Sequence, residues 1–183
     1  MCPRDQISHQ GLIAEVEHLE NIDLKYYLNT LENKKNITFA ALEDVTDPRN
    51  IGSIIRSSAL LGCNYIITSK DNSPDLNSSI IKAASGGAEI VDYVKVQNLS
   101  RNILEIKKHG FWVVGLVEDA VENVSELSQD RPIILVLGNE GKGIRPLSRQ
   151  HCDWRVSIPG NPEVSSLNAV SYTHLRAHET PEH

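Results

Sequence analysis

Ile133-Ile134-Leu135-Val136-Leu137-Gly138-Asn139-Glu140-Gly141-Lys142-Gly143-Ile144 decides how this chain folds. Five leucine or β-branched residues in an unbroken run suit a strand buried on both faces of a parallel sheet. The glycines behind it let the backbone turn sharply and approach a ligand with no Cβ in the way. Ligands bind beyond the carboxyl ends of parallel strands, so Gly138, Gly141 and Gly143 stand where a binding loop belongs. The pattern recurs downstream. Val156-Ser157-Ile158 reads as a short strand and Pro159 to Glu163 as a loop, after which Ser165-Ser166-Leu167-Asn168 opens a helix. Two ligand-facing loops in tandem predict one pocket.

Two familiar phosphate loops fail on this stretch. A triphosphate-binding loop needs Lys followed by Ser or Thr to hold magnesium, and Lys142 is followed by Gly143. The dinucleotide fingerprint needs glycines at its first, third and sixth positions, whereas these occupy the first, fourth and sixth. On glycines alone, a tight strand-to-helix turn accounts for the stretch.

Outward from it, strands and helices alternate. Ile37 to Leu42, Tyr65 to Thr68, Tyr93 to Val96 and Phe111 to Val117 read as strands. Between them, Ile51, Ile54, Ile55 and Ala59 recur at helical spacing with Gly62 as C-cap. Leu76 to Ala84 reads as a second helix, and a third runs through Ile103 and Ile106 to Gly110. Upstream, Asp23 to Leu31 forms a short helix with Asp23 as N-cap and Leu24, Tyr27, Leu28 and Leu31 on one face. The sum is an α/β domain with a mostly parallel sheet.

Composition narrows the function classes. With 183 residues, 40% hydrophobic and 23% charged, the chain can bury a real core. A net charge of −6 excludes holding nucleic acid by bulk charge, so any such contact must be local. Lys142, Arg145, Arg149 and Arg155 offer that locally, facing only Asp153 between Gly141 and Val156. They read either as phosphate contacts or as a solvated surface. No apolar run approaches membrane-spanning length, and Cys2, Cys63 and Cys152 lack metal-ligand spacing, so a reduced cytoplasmic chain with no metal is expected.

The second informative place is Asn50-Ile51-Gly52-Ser53-Ile54-Ile55-Arg56. Alone, Asn50 reads as an N-cap and Arg56 as a solvated helix charge. Glu140 alone reads as an exposed loop carboxylate. Taken with Leu135 to Ile144 and Ser157 to Asn168, in this order, the segment resembles the three motifs of the SpoU (TrmH) branch of the SPOUT RNA methyltransferases. Asp47-Pro48, Ser85-Gly86-Gly87-Ala88, His151-Cys152-Asp153 and His9-Gln10-Gly11 resemble the members acting on a guanosine ribose of 23S rRNA.

The resemblance implies an α/β-knot domain over residues 37–171 with a C-terminal trefoil knot, acting as a homodimer. It implies S-adenosylmethionine as methyl donor and RNA as substrate, 23S rRNA first and tRNA second. A non-catalytic RNA-binding or ribosome-assembly module is the reading from another class. Catalytic roles are implied for Asn50, Arg56, Glu140, Ser166 and Asn168, and cofactor contacts for Gly138, Ile158 and Leu167. Residues 1–36 are expected to be a linker, the remnant of an N-terminal RNA-binding domain. Residues 172–183 are polar with three histidines, where the family continues in an apolar helix; a non-native tail and a truncated knot are expected there.

Overall fold

The computed structural model describes residues 23–31, 37–63, 65–120, 122–123, 127 and 131–157. Its elements, in chain order, are α1 Leu24–Thr30, β1 Thr38–Leu42, α2 Pro48–Leu61, β2 Tyr65–Ser69, α3 Ser78–Ala84 and a 3₁₀ turn Gly87–Glu89. They continue with β3 Asp92–Val96, α4 Leu99–Lys108, β4 Trp112–Leu116, β5 Glu122–Asn123, β6 Ile133–Leu137, α5 Pro146–His151 and β7 Trp154–Ser157. The strands form one sheet in the order β3-β2-β1-β6-β4-β7-β5, and every pairing between them is parallel.

The order explains where a ligand can sit. The chain lays β1, β2 and β3 outward to one side, then crosses over to β4 and inserts β6 between β4 and β1. That reversal makes a topological switch point, beyond whose carboxyl ends α/β sheets bind ligands. Strand β6 is the unbroken apolar run, with Ile134 and Val136 wholly buried, as a central parallel strand requires.

Alternation along β1 sorts the core into two layers. Ala40 and Leu42 join Ile51, Ile54 and Ile55 of α2 and Ile80 and Ala84 of α3 on one face. Phe39 and Ala41 join Leu24 and Leu28 of α1 and Ile103 and Ile106 of α4 on the other. Each fully buried isoleucine contributes about 1.5–3 kcal/mol of transfer free energy. Helix α1 is capped by Asp23, which accepts from the amides of Lys25 and Tyr26, and Tyr27 stacks on Tyr65 with centroids 4.8 Å apart.

Two sequence expectations need correction. Helix α2 starts at Pro48 rather than after Asn50, because Asp47 is the N-cap: its carboxylate accepts from the Arg49 amide at 2.8 Å, and Pro48 fills the first turn without wasting a donor. Asn50 is therefore inside the first turn and is not the cap. Helix α5 forms within what reads as a merely basic segment. Gly62 closes α2 as expected, left-handed at φ 75°, its N–H bonded to the Ser58 carbonyl. The expected loop of residues 159–163, the helix after it and residues 172–183 lie outside the described residues. Among the described residues, no helix is long and apolar enough to cross a membrane.

Candidate active site

A cleft of about 270 Å³ opens at the carboxyl ends of β4 and β6. Its floor is apolar, formed by Leu116, Val117, Leu137 and Ile144, and one wall is the glycine loop of residues 138–143. Glu118, Asp119 and Glu140 put carboxylates on the lining, with Lys142 and Arg149 as the cations. A mostly apolar floor with a few directed polar groups is what small-molecule sites require.

The loop has its shape because the chain doubles back on itself. The N–H of Gly143 donates to the Asn139 carbonyl at 2.8 Å, and the Asn139 N–H donates back at 3.2 Å. A Cβ placed on Gly138 would lie 2.2 Å from the Gly143 carbonyl carbon and 2.4 Å from the Ile144 nitrogen, so only glycine fits there. Gly143 is left-handed at φ 64°. The Asn139 side chain fixes the interior: its Oδ1 accepts from the amides of Gly141 at 2.9 Å and Lys142 at 3.3 Å.

The loop is anchored from the neighbouring β1–α2 junction. Glu43, only 4% exposed, accepts from the Arg145 amide at 2.9 Å and from Ser148 Oγ at 2.6 Å. A carboxylate from a distant loop thus supplies the cap that α5 lacks locally, favourable to its orphan amides and its dipole. The Asp44 carboxylate grips the Arg145 guanidinium at two points, 2.7 and 2.8 Å, which holds that guanidinium more firmly charged than usual.

Half of the predicted basic patch is spent on intramolecular pairs. Arg145 pairs with Asp44, and Arg149 pairs with Asp119 at 2.6 Å, a hydrogen bond that lowers the Asp119 carboxyl below the usual carboxylate range. Asp153 is taken by Lys107 at 2.7 Å. Lys142 and Arg155 are the exposed cations of the four that keep the phosphate reading open. Behind the cleft, the Cys152 sulfur packs on Gly115, and burial pushes its thiol up to about 11, which makes it a packing group rather than a nucleophile.

Of the expected site residues, Gly138 and Glu140 line the cleft. Asn50 is half-buried and Arg56 exposed on α2, the helix that follows the strand next to β6, and neither is in the lining. Ile158, Ser166, Leu167 and Asn168 lie outside the described residues. Glu43, Asp44, Asn139, Glu118 and Asp119 escaped the sequence reading. Glu118 and Asp119 had a signal: they follow the apolar run Phe111 to Val117, so they stand at a parallel strand's carboxyl end.

Comparison with known proteins bears on the same cleft. The profile of the SpoU rRNA Methylase family matches residues 38–174. The chain is 40% identical over 161 residues to the 23S rRNA (guanosine-2′-O-)-methyltransferase RlmB of Haemophilus influenzae, covering 87% of this chain and 65% of that protein. The protein of that name from Pseudomonas aeruginosa is 38% identical, with the same coverage of 87% and 65%. The chain thus spans slightly less than two thirds of these relatives' length. Among solved structures, the SpoU methyltransferase AviRb of Streptomyces viridochromogenes in complex with AdoMet aligns with a TM-score of 0.73 at 26% identity, over 87% of this chain and 66% of that one. The TrmH/SpoU tRNA modifying enzyme of A. aeolicus aligns at 0.69 and 25% identity, over 85% and 79%.

Proposed function

The chain belongs to the SpoU rRNA Methylase family, and from that premise we propose that it transfers a methyl group from S-adenosylmethionine to a ribose 2′-hydroxyl of RNA, with a guanosine of 23S rRNA as target. The observation that carries this reading is the cleft at the carboxyl ends of β4 and β6, walled by the glycine loop. Its residues fit the cofactor. An apolar floor accepts a flat adenine, the glycine-loop backbone can approach adenine and ribose, and the carboxylates of Glu118 and Glu140 suit a cationic sulfonium.

When bound, S-adenosylmethionine supplies an electrophilic sulfonium methyl. The protein's part is to bring the ribose oxygen into line and to manage its proton. Near-attack positioning of this kind is worth up to roughly 7–11 kcal/mol of barrier. A guanidinium keeps its proton at neutral pH. Arg56 therefore serves better as a clamp on the adjoining phosphate, stabilising the charge that develops on the 2′-oxygen, than as the base. Asn50 and Glu140 orient it in this reading, and Ser166 and Asn168 complete the loop around the reacting groups. Gly138, Ile158 and Leu167 hold the cofactor. The working unit is a cytoplasmic homodimer. A tRNA target is the second reading, supported by the alignment over 79% of the A. aeolicus tRNA modifying enzyme; the higher identity to the 23S rRNA enzymes supports the first.

The test is single-turnover transfer of labelled methyl to 23S rRNA and to tRNA, followed by nucleoside analysis. The proposal expects 2′-O-methylguanosine from rRNA. It also expects Arg56→Lys and Arg56→Ala to be slower by about 10²-fold at saturating RNA and cofactor. Cofactor binding with no transfer to either RNA would favour the non-catalytic module. Full recovery of the Arg56 variants at saturating RNA would take Arg56 out of the transition state.

A further inference from the structure

Asp44 holds a backbone conformation that non-glycine residues seldom adopt, although aspartate tolerates it better than most. Its φ is 57°, in the left-handed region, where a Cβ crowds the backbone. Outliers of this kind persist where the surroundings over-determine them. Here four hydrogen bonds converge on one residue. Its carbonyl accepts from Asn139 Nδ2 at 2.9 Å. Its carboxylate accepts from Arg145 Nε at 2.7 Å, from Arg145 Nη2 at 2.8 Å and from Asn72 Nδ2 at 2.9 Å.

These partners are not scattered. Asn139 lies at the entry of the glycine loop and Arg145 at its exit, so Asp44 holds both ends. Glu43 strengthens the same grip, donating its N–H to the Leu137 carbonyl at 2.8 Å and accepting the Arg145 N–H. Asn139 transmits the hold inward: one end of its amide group meets Asp44 while the other caps the Gly141 and Lys142 amides. Three residues after Asp44, the Asp47 cap starts α2, which carries Asn50 and Arg56. The segment thus joins the wall of the cleft to the helix bearing the other expected site residues.

We infer that Asp44 is a positioning residue, which through Asn139 and Arg145 fixes the glycine loop against the start of α2 and so holds the cleft in its binding shape. This rests on the reading of the cleft as the cofactor site. The arrangement is poorly suited to a role in overall stability. The Asp44 and Arg145 side chains are 23% and 55% exposed, and exposed pairs add little to folding. A two-point carboxylate–guanidinium contact, by contrast, fixes orientation.

Asp44→Gly separates the two roles. Glycine accepts the left-handed backbone and keeps the carbonyl that Asn139 needs, so only the carboxylate is lost. In the ligand-free protein, amide hydrogen exchange at Asn139, Gly141 and Gly143 is expected to rise about 5-fold or more, with β1 and β6 amides unchanged and the melting temperature within about 2 °C of the parent. Asp44→Asn, which also tolerates this conformation and keeps one acceptor oxygen, is expected to restore part of the protection. S-adenosylmethionine affinity should fall about tenfold in Asp44→Gly and in Arg145→Ala, and by no more in the double variant. Unchanged exchange in the loop would overturn the inference, and so would strands that loosen in step with it. A loosened loop with unaltered cofactor affinity would overturn its functional half. If the parent protein binds no S-adenosylmethionine, the reading of the cleft fails, and the exchange data still decide whether Asp44 holds the loop.

Discussion

Strands β1 and β6 lie side by side in register, Leu42 beside Leu137, yet the junctions that leave them are built by opposite means. After β1 the chain is shaped by side chains: Glu43 and Asp44 reach across to the next junction, and Asp47 caps α2. After β6 backbone closes on backbone, with Gly138 against Gly143 and Ile144, and the Asn139 side chain caps the amides inside the loop. The two paths also diverge, α2 packing on one face of the sheet while Ile144 joins the core layer on the other. The cleft lies on the glycine side, walled by residues 138–143. Each junction supplies what the other lacks, because the carboxylates of the first satisfy donors of the second.

The largest expected effect comes from giving the second junction a side chain. In Gly138→Ala the added Cβ meets backbone atoms at 2.2–2.4 Å, which no rotamer change relieves, so the loop must open. We expect a loss of roughly 1–3 kcal/mol or more of stability in denaturant unfolding. S-adenosylmethionine affinity should drop by about 10²-fold or more in titration calorimetry, since the loop is the cleft wall. A variant that binds cofactor as the parent does would break the contrast, because the open space would then owe nothing to glycine.

Removing a side chain from the first junction should cost less and teach more. Glu43→Ala strands the part-buried Arg145 amide and the buried Ser148 hydroxyl, and is expected to cost about 2–4 kcal/mol in urea unfolding. Glu43→Gln should cost only about 1 kcal/mol. Its carbonyl can take the Arg145 amide, while its NH₂ donates to a Ser148 hydroxyl turned to accept. Equal losses in the two variants would show that the charge, facing the α5 dipole, outweighs the hydrogen-bond count.

How much of this was legible from sequence follows the same divide. The β6 run declares a central strand through its own residues, and Gly62 declares a helix end through the one conformation that suits it. Helix α2 was readable as a helix but not at its start, where Asn50 reads as the cap and Asp47 is the cap in the structure. The pairing of Asp47 with Pro48 decides that start, because proline fits a first turn and needs no hydrogen-bond partner there. Helix α5 was not readable. It has six residues, no local cap, and owes its N-terminal hydrogen bonds to Glu43, 102 to 105 positions away. Two of the four cations of the basic patch are likewise neutralised from elsewhere in the chain. A window along the chain counts Asp153 against it, whereas the carboxylates that neutralise it, Asp44 and Asp119, arrive from two other strand ends.

The measurement closest to the central claim is a titration of the isotope-labelled protein with S-adenosylmethionine, followed by amide chemical shifts. We expect saturable binding at the cleft, with the largest shifts at residues 138–144 and at Leu116 to Asp119, and little change at the outer strand β3. Saturable binding with its largest shifts elsewhere, or no saturable binding at all, would contradict it.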